Sequence, residues 1–136
     1  MGFTSNQERR AAAALVAALE DMLVQLQDAT PDGDHGWLKP LAVVTAEIEY
    51  SALRGTTIDG ANLAEECREV SDLLACSPRV DVQFASRYSL ARRASPAVAD
   101  LQRRALAACH LVVAAALPEG SEDQRAKIAH RLVTGL

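Results

Sequence analysis

Residues 95–118 read SPAVADLQRRALAACHLVVAAALP. From position 105 to 117 no residue is charged, and only Cys109 and His110 interrupt the apolar run. A helix that is apolar on all sides is normally buried on all sides. The stretch therefore predicts a central helix over residues 96–117 with the other helices packed around it. Ser95 and Pro96 supply an N-cap and a first-turn proline. Pro118 and Gly120 end it. Val98, Leu101, Ala105, Ala108, Val112 and Ala115 recur at helical spacing and form one stripe. Ala107, Leu111 and Ala114 make a further face on the opposite side. If that face is uncovered, it is the expected surface for a partner or a second copy.

Outward from this stretch the same punctuation repeats. Residues 6–28 form a helix whose stripe is Ala12, Leu15, Leu19, Met22, Leu26 and Ala29, with Val16 and Leu23 beside it, and with Ser5 and Glu8 as a capping box. The segment TPDGDHG, residues 30–36, breaks it. A second helix covers residues 38–54, with Pro40 in its first turn, the stripe Leu41, Val44, Ile48 and Ala52, and Val43, Tyr50 and Leu53 widening it. A third spans residues 60–75, with Asp59 as N-cap, Ile58 stapled to Leu63, and the stripe Leu63, Cys67, Val70 and Leu74. A fourth runs from Pro78 to about Arg93 on Val80, Phe84, Tyr88 and Ala91. Val80, Val82 and Phe84 also alternate as a strand would, but a lone strand has no partner in this chain. A sixth helix covers residues 121–134, opened by Ser121 and Gln124. All five prolines fall at these boundaries. The expectation is an all-α, compact bundle of about six helices in a single domain, residues 1–136.

Bulk properties narrow the function. Aromatic residues are 4% of the chain, so Leu, Val, Ile and Ala must fill the core. The net charge of -4 argues against nucleic acid as a partner. The charge is uneven: residues 20–72 hold twelve acids and three bases, whereas residues 79–104 hold six arginines and two aspartates. Opposite regions of this kind can attract each other within a chain or between chains. Three cysteines without CxxC spacing point to a reducing compartment. The N-terminus lacks a secretory run, and 13 uncharged residues are too few to span a bilayer. The chain is therefore expected in the cytoplasm, with no membrane partner.

Two segments carry possible metal chemistry. Residues 28–37, DATPDGDHGW, gather three aspartates and His35. The spacing is not that of an EF-hand, because Gly36 and Val43 stand where ligands are needed. DGDHG resembles the magnesium–nucleotide loop of the small subunit of dihydroxyacetone kinases, over five residues and without that family's later glycine-rich loop. A turn that needs Gly and Asp for its backbone shape explains the same residues, with Trp37 packed as a lid on the core.

Residues 63–74, LAEECREVSDLL, resemble the acidic helix of the all-α nucleoside triphosphate pyrophosphohydrolases of the MazG type. Those proteins hold magnesium against phosphates with paired carboxylates, ExxE and later ExxD, on neighbouring helices. By that resemblance Glu66 and Glu69 give ExxE, and Glu69 and Asp72 give ExxD. The preceding helix offers Glu47 or Glu49, but Ala46 and Tyr50 stand where its own ExxE needs a second carboxylate. The implied magnesium set is Glu49, Glu66, Glu69 and Asp72. Helix geometry places Glu65, Glu69 and Asp72 opposite the apolar stripe, with only Glu66 at its border. A metal site inside a bundle needs its acids beside the apolar seam.

His110 has no carboxylate within four residues, so it reads as a hydrogen-bonded core or interface histidine. Nothing matches the common nucleophile, phosphate-loop or dinucleotide motifs. The preferred expectation is a small protein-interaction or regulatory bundle without cofactor, acting as a homodimer. Its surface is Ala107, Leu111 and Ala114 with Arg92, Arg93, Arg103 and Arg104. The alternatives are the magnesium-dependent pyrophosphohydrolase and a small-molecule-binding bundle with a pocket near Trp37, Tyr50 and His110.

Overall fold

Periodic apolar stripes need partners, and the computed structural model supplies them as a ring of four helices. The structure describes residues 5–30, 32–54 and 60–116. Helix α1 is Ser5–Asp28, α2 Lys39–Glu49, α3 Gly60–Leu74, α4 Val82–Ala94 and α5 Pro96–Ala116. A 3-10 turn, Gly36–Leu38, leads into α2, and a π-helical turn, Tyr50–Arg54, follows it. No strand occurs among the described residues. Helix α1 packs on α2 and α5, and α3 packs on α2 and α5, which closes the ring. Helix α4 leans on α5, α3 and the 3-10 turn from outside. The side chains read as caps at Ser5 and Glu8, the cap at Asp59, the staple at Ile58 and the sixth helix lie outside the described residues.

Neighbouring helices of the ring run antiparallel. At one junction the Arg9 guanidinium donates to the Ala52 carbonyl at 2.8 Å, tying the start of α1 to the π-helical turn that follows α2. At the next, Asn62 reaches Ser51. The stripes read from the sequence are the core: Leu15, Leu19, Met22 and Leu26 meet Leu41, Ile48, Leu63, Leu74, Val98 and Val112, all fully buried. Each such side chain contributes about 1.5–3 kcal/mol through removal from water. The flanking Val43 and Tyr50 do not join them, at 44% and 72% exposed.

The start of α4 differs from the reading that began at Pro78. Helix α3 ends in a Schellman turn, with Ser77 N–H donating to the Asp72 carbonyl at 3.0 Å and Cys76 N–H to the Leu73 carbonyl at 3.1 Å. Cys76 occupies the left-handed position usually given to glycine, with φ 54°, and its thiol reaches the Ala85 carbonyl at 3.5 Å. Pro78 then lies in a turn closed from Val80 N–H to the Ser77 carbonyl. The cap is Asp81, whose carboxylate accepts from the Phe84 N–H at 3.1 Å. The start of α5 is as read, with Ser95 Oγ accepting from the Val98 N–H.

Helix α4 is pinned by three aromatic rings. Phe84 stacks on Tyr88 at 5.5 Å and meets Trp37 at 5.7 Å. Trp37 is buried and donates through Nε1 to Thr30 Oγ1, so it closes that end of the bundle. The Tyr88 hydroxyl donates to buried Gln102 Oε1 at 2.7 Å, which Arg92 also reaches. Burial holds the Tyr88 phenol well above its ordinary value of 10.0. Because the folded value lies above the unfolded one, this contribution to stability is intact below pH 10.0 and is lost as pH rises past it. In a Tyr50→Phe variant, where Tyr88 is the only tyrosine, phenolate absorbance should therefore rise together with loss of helical ellipticity. Ionisation in a fully helical chain would contradict this packing.

Candidate functional site

The apolar half of α5 is not enclosed. Its contacts with α1, α3 and α4 cover Ala105, Leu106, Ala108, Cys109, Val112 and Val113. Ala107, His110, Leu111 and Ala114 remain exposed, and Leu111 is 60% exposed. This corrects the expectation of burial on every side: absence of charge does not require burial when two of the four exposed positions are alanine and a third is histidine. Of the two roles read for His110, core or interface, its exposure excludes the core one.

The same face continues toward the start of α5. Arg103 and Arg104 are about two-thirds exposed, and each holds Asp100 at 3.1 Å. Ala107, Leu111 and Ala114 follow at spacings of three and four residues, so charged and apolar halves share one side of the helix. Arg92 and Arg93 are placed elsewhere. Arg92 lies over the Tyr88 ring at 5.9 Å and is half-buried. Arg93 lines a separate groove with Val82 and Leu90 on the outside of α4.

Sequence reasoning passed over the neighbouring face of α1. Arg10, Ala13, Ala14, Ala17, Glu20, Asp21, Val24 and Asp28 are all exposed on the side opposite the core stripe. Val24 is 54% exposed. A shallow groove between the helices is lined by Asp21, Val24, Gln25, Ala97, Asp100, Leu101 and Arg104. It fixes the register: the second half of α1 lies beside the first half of α5. The complement of the α1 stripe was the available signal, since four of its outward positions are apolar.

The carboxylates of α2 and α3 lie along one seam but in two grooves. Glu47, Glu49 and Glu66 share the first with Tyr50 and Asn62. Glu66 is 3% exposed and accepts from the Asn62 amide at 3.2 Å. Glu69 and Asp72 line the second with Trp37, Lys39, Arg68 and Arg79. Arg68 bridges Glu65 at 2.8 Å and Asp72 at 3.4 Å. Partial burial, followed by the nearby Glu47 charge, raises the Glu69 carboxyl above its usual range. Among the described residues no three His, Cys, Asp or Glu side chains are arranged to hold a metal ion.

The remaining candidates have structural roles. In the 28–37 loop the Asp34 N–H donates to Asp32 and the Gly36 N–H to Asp34, both at 3.1 Å, and Gly33 has φ 71°. The Asp34 amide and then Arg87 hold the Asp32 carboxyl below its usual range. The proposed pocket of Trp37, Tyr50 and His110 does not form: Trp37 lines one groove, Tyr50 another, and His110 neither. Cys67 and Cys109 meet in the core, and the hydrogen bond between them and burial hold the Cys109 thiol well above its usual range. A thiol so placed is no ready nucleophile.

No described helix is long and apolar enough to cross a membrane. Compared with known protein families, curated proteins and solved structures, the chain matches none.

Proposed function

We propose that this chain is a protein-interaction bundle that self-associates through the outer side of α5. The observation that carries the reading is Leu111, 60% exposed on a helix whose other sides build the core. It is flanked by exposed Ala107 and Ala114 and bordered by Arg103 and Arg104. An apolar centre with a charged rim is the usual composition of an interface. Three free thiols fit a reducing, cytoplasmic setting. Light scattering at about 100 μM tests it, a concentration far above a micromolar dissociation constant. The expected mass is twice the 14.5 kDa of the chain. A monomer at that concentration contradicts the proposal.

One observation favours a second reading, a magnesium-dependent nucleotide pyrophosphohydrolase. Glu47 and Glu49 of α2 face the same groove as Glu66 of α3, and Glu47 acts on Glu69. Magnesium should then raise the melting temperature, and some nucleoside triphosphate should release pyrophosphate. No response to magnesium and no release across a nucleotide panel removes this reading.

A further inference from the structure

We infer that two copies meet face to face across both α1 and α5, with the twofold axis running along the helices, so that α1 of each copy covers α5 of the other. The inference rests on the self-association reading and names how the copies are arranged.

The shared groove places Val24 level with Asp100 and Leu101. Both helices rise about 1.5 Å per residue, so moving about 15 Å along the pair brings Leu111 level with Ala13 and Ala14. By the same count Ala107 lies level with Ala17, and Arg104 with Glu20 and Asp21. A twofold axis along the helices preserves level and exchanges α1 for α5. Leu111 of one copy then meets the alanines at 13 and 14 of the other, where small side chains leave room for it. Arg103 and Arg104 meet the acidic belt of Glu20 and Asp21.

Charge selects this arrangement over its competitor. An axis across the helices would place the charged end of one copy on the apolar end of the other. That would bury Glu20, Asp21, Arg103 and Arg104 against alanine with no opposite charge across the interface, and with only Asp100 of the same copy beside the two arginines, which is costly. With the axis along the helices every belt meets its opposite, twice. Two adjacent helices about 30 Å long, with axes about 10 Å apart, offer roughly the 800 Å² per partner of a standard interface.

The test uses the full chain with two charge-reversed variants, Glu20→Lys with Asp21→Lys, and Arg103→Glu with Arg104→Glu. All four residues are exposed, so both variants should match the parent in helical ellipticity. Each alone places like charges across the interface, and its dissociation constant should rise at least about tenfold. Mixed in equal amounts, they should form a one-to-one dimer, because every belt again meets its opposite. Two variants that dimerise as the parent does would overturn this arrangement and leave self-association through Leu111 standing. Variants that stay monomeric when mixed would overturn it as well. A parent chain that is itself monomeric would remove both readings.

Discussion

Leu111→Glu leaves the bundle folded and raises the dissociation constant of the self-associated chain about a hundredfold. Leu111 is 60% exposed, so the substitution removes little from the core. Exposed substitutions of this kind usually change stability by no more than about 0.5 kcal/mol. In the proposed dimer the position is covered by alanines, which offer a carboxylate no hydrogen bond. Burying a polar group without a partner costs about 1–3 kcal/mol, more when it is charged. About 2.7 kcal/mol corresponds to the hundredfold change. Thermal melting checks the fold, and sedimentation equilibrium measures the constant. An unchanged constant would mean that the α5 face is not where copies meet.

Phe84→Ala has the largest effect on stability, a loss of about 3–5 kcal/mol. Phe84 is fully buried between Trp37 and Tyr88. Its removal opens a cavity under two rings, and neither can fill it easily. Trp37 is tied to Thr30, and the Tyr88 hydroxyl is tied to Gln102. Each lost ring contact adds about 0.5–1.5 kcal/mol beyond the area term. A domain is stable by only about 5–15 kcal/mol, so this is a large fraction of the total. The melting temperature should fall by roughly 10 °C or more. Urea denaturation gives the free energy directly, and a loss below about 1 kcal/mol would show that α4 is not held by its aromatic cluster.

The architecture was largely written in spacing. Apart from Ala29, which lies exposed just past the end of α1, the stripe positions of α1, α2, α3 and α5 are buried, because a helix in a ring has one inward side. The border position of Glu66 on the α3 stripe also foretold its burial. Two errors have physical causes. Pro78 was read as a helix start, but proline serves a turn equally well, and the Asp81 carboxylate decides where α4 begins. The uncharged run of α5 was read as enclosed, but alanine tolerates water at small cost, and exposure followed from the number of neighbouring helices.

What pattern alone did not show are contacts between helices distant in sequence. Cys67 with Cys109, and Trp37 with Phe84, depend on how the ring closes. Gln102 was within reach of the pattern: it follows Val98 by one helical turn on the buried side, where a polar residue signals a hydrogen-bonded pair. The candidate interface was half legible. Ala107, Leu111 and Ala114 emerged from the helical wheel, whereas the contribution of α1 needed the antiparallel register.

The exposed side of α5 is the proposed site at which this protein binds a second copy of itself. Sedimentation equilibrium of the parent chain and the Leu111→Glu variant, at matched concentrations, tests it most directly. The parent should sediment at twice the 14.5 kDa chain mass and the variant at the chain mass, with the same helical ellipticity for both. A monomeric parent, or a variant that remains dimeric, would contradict it.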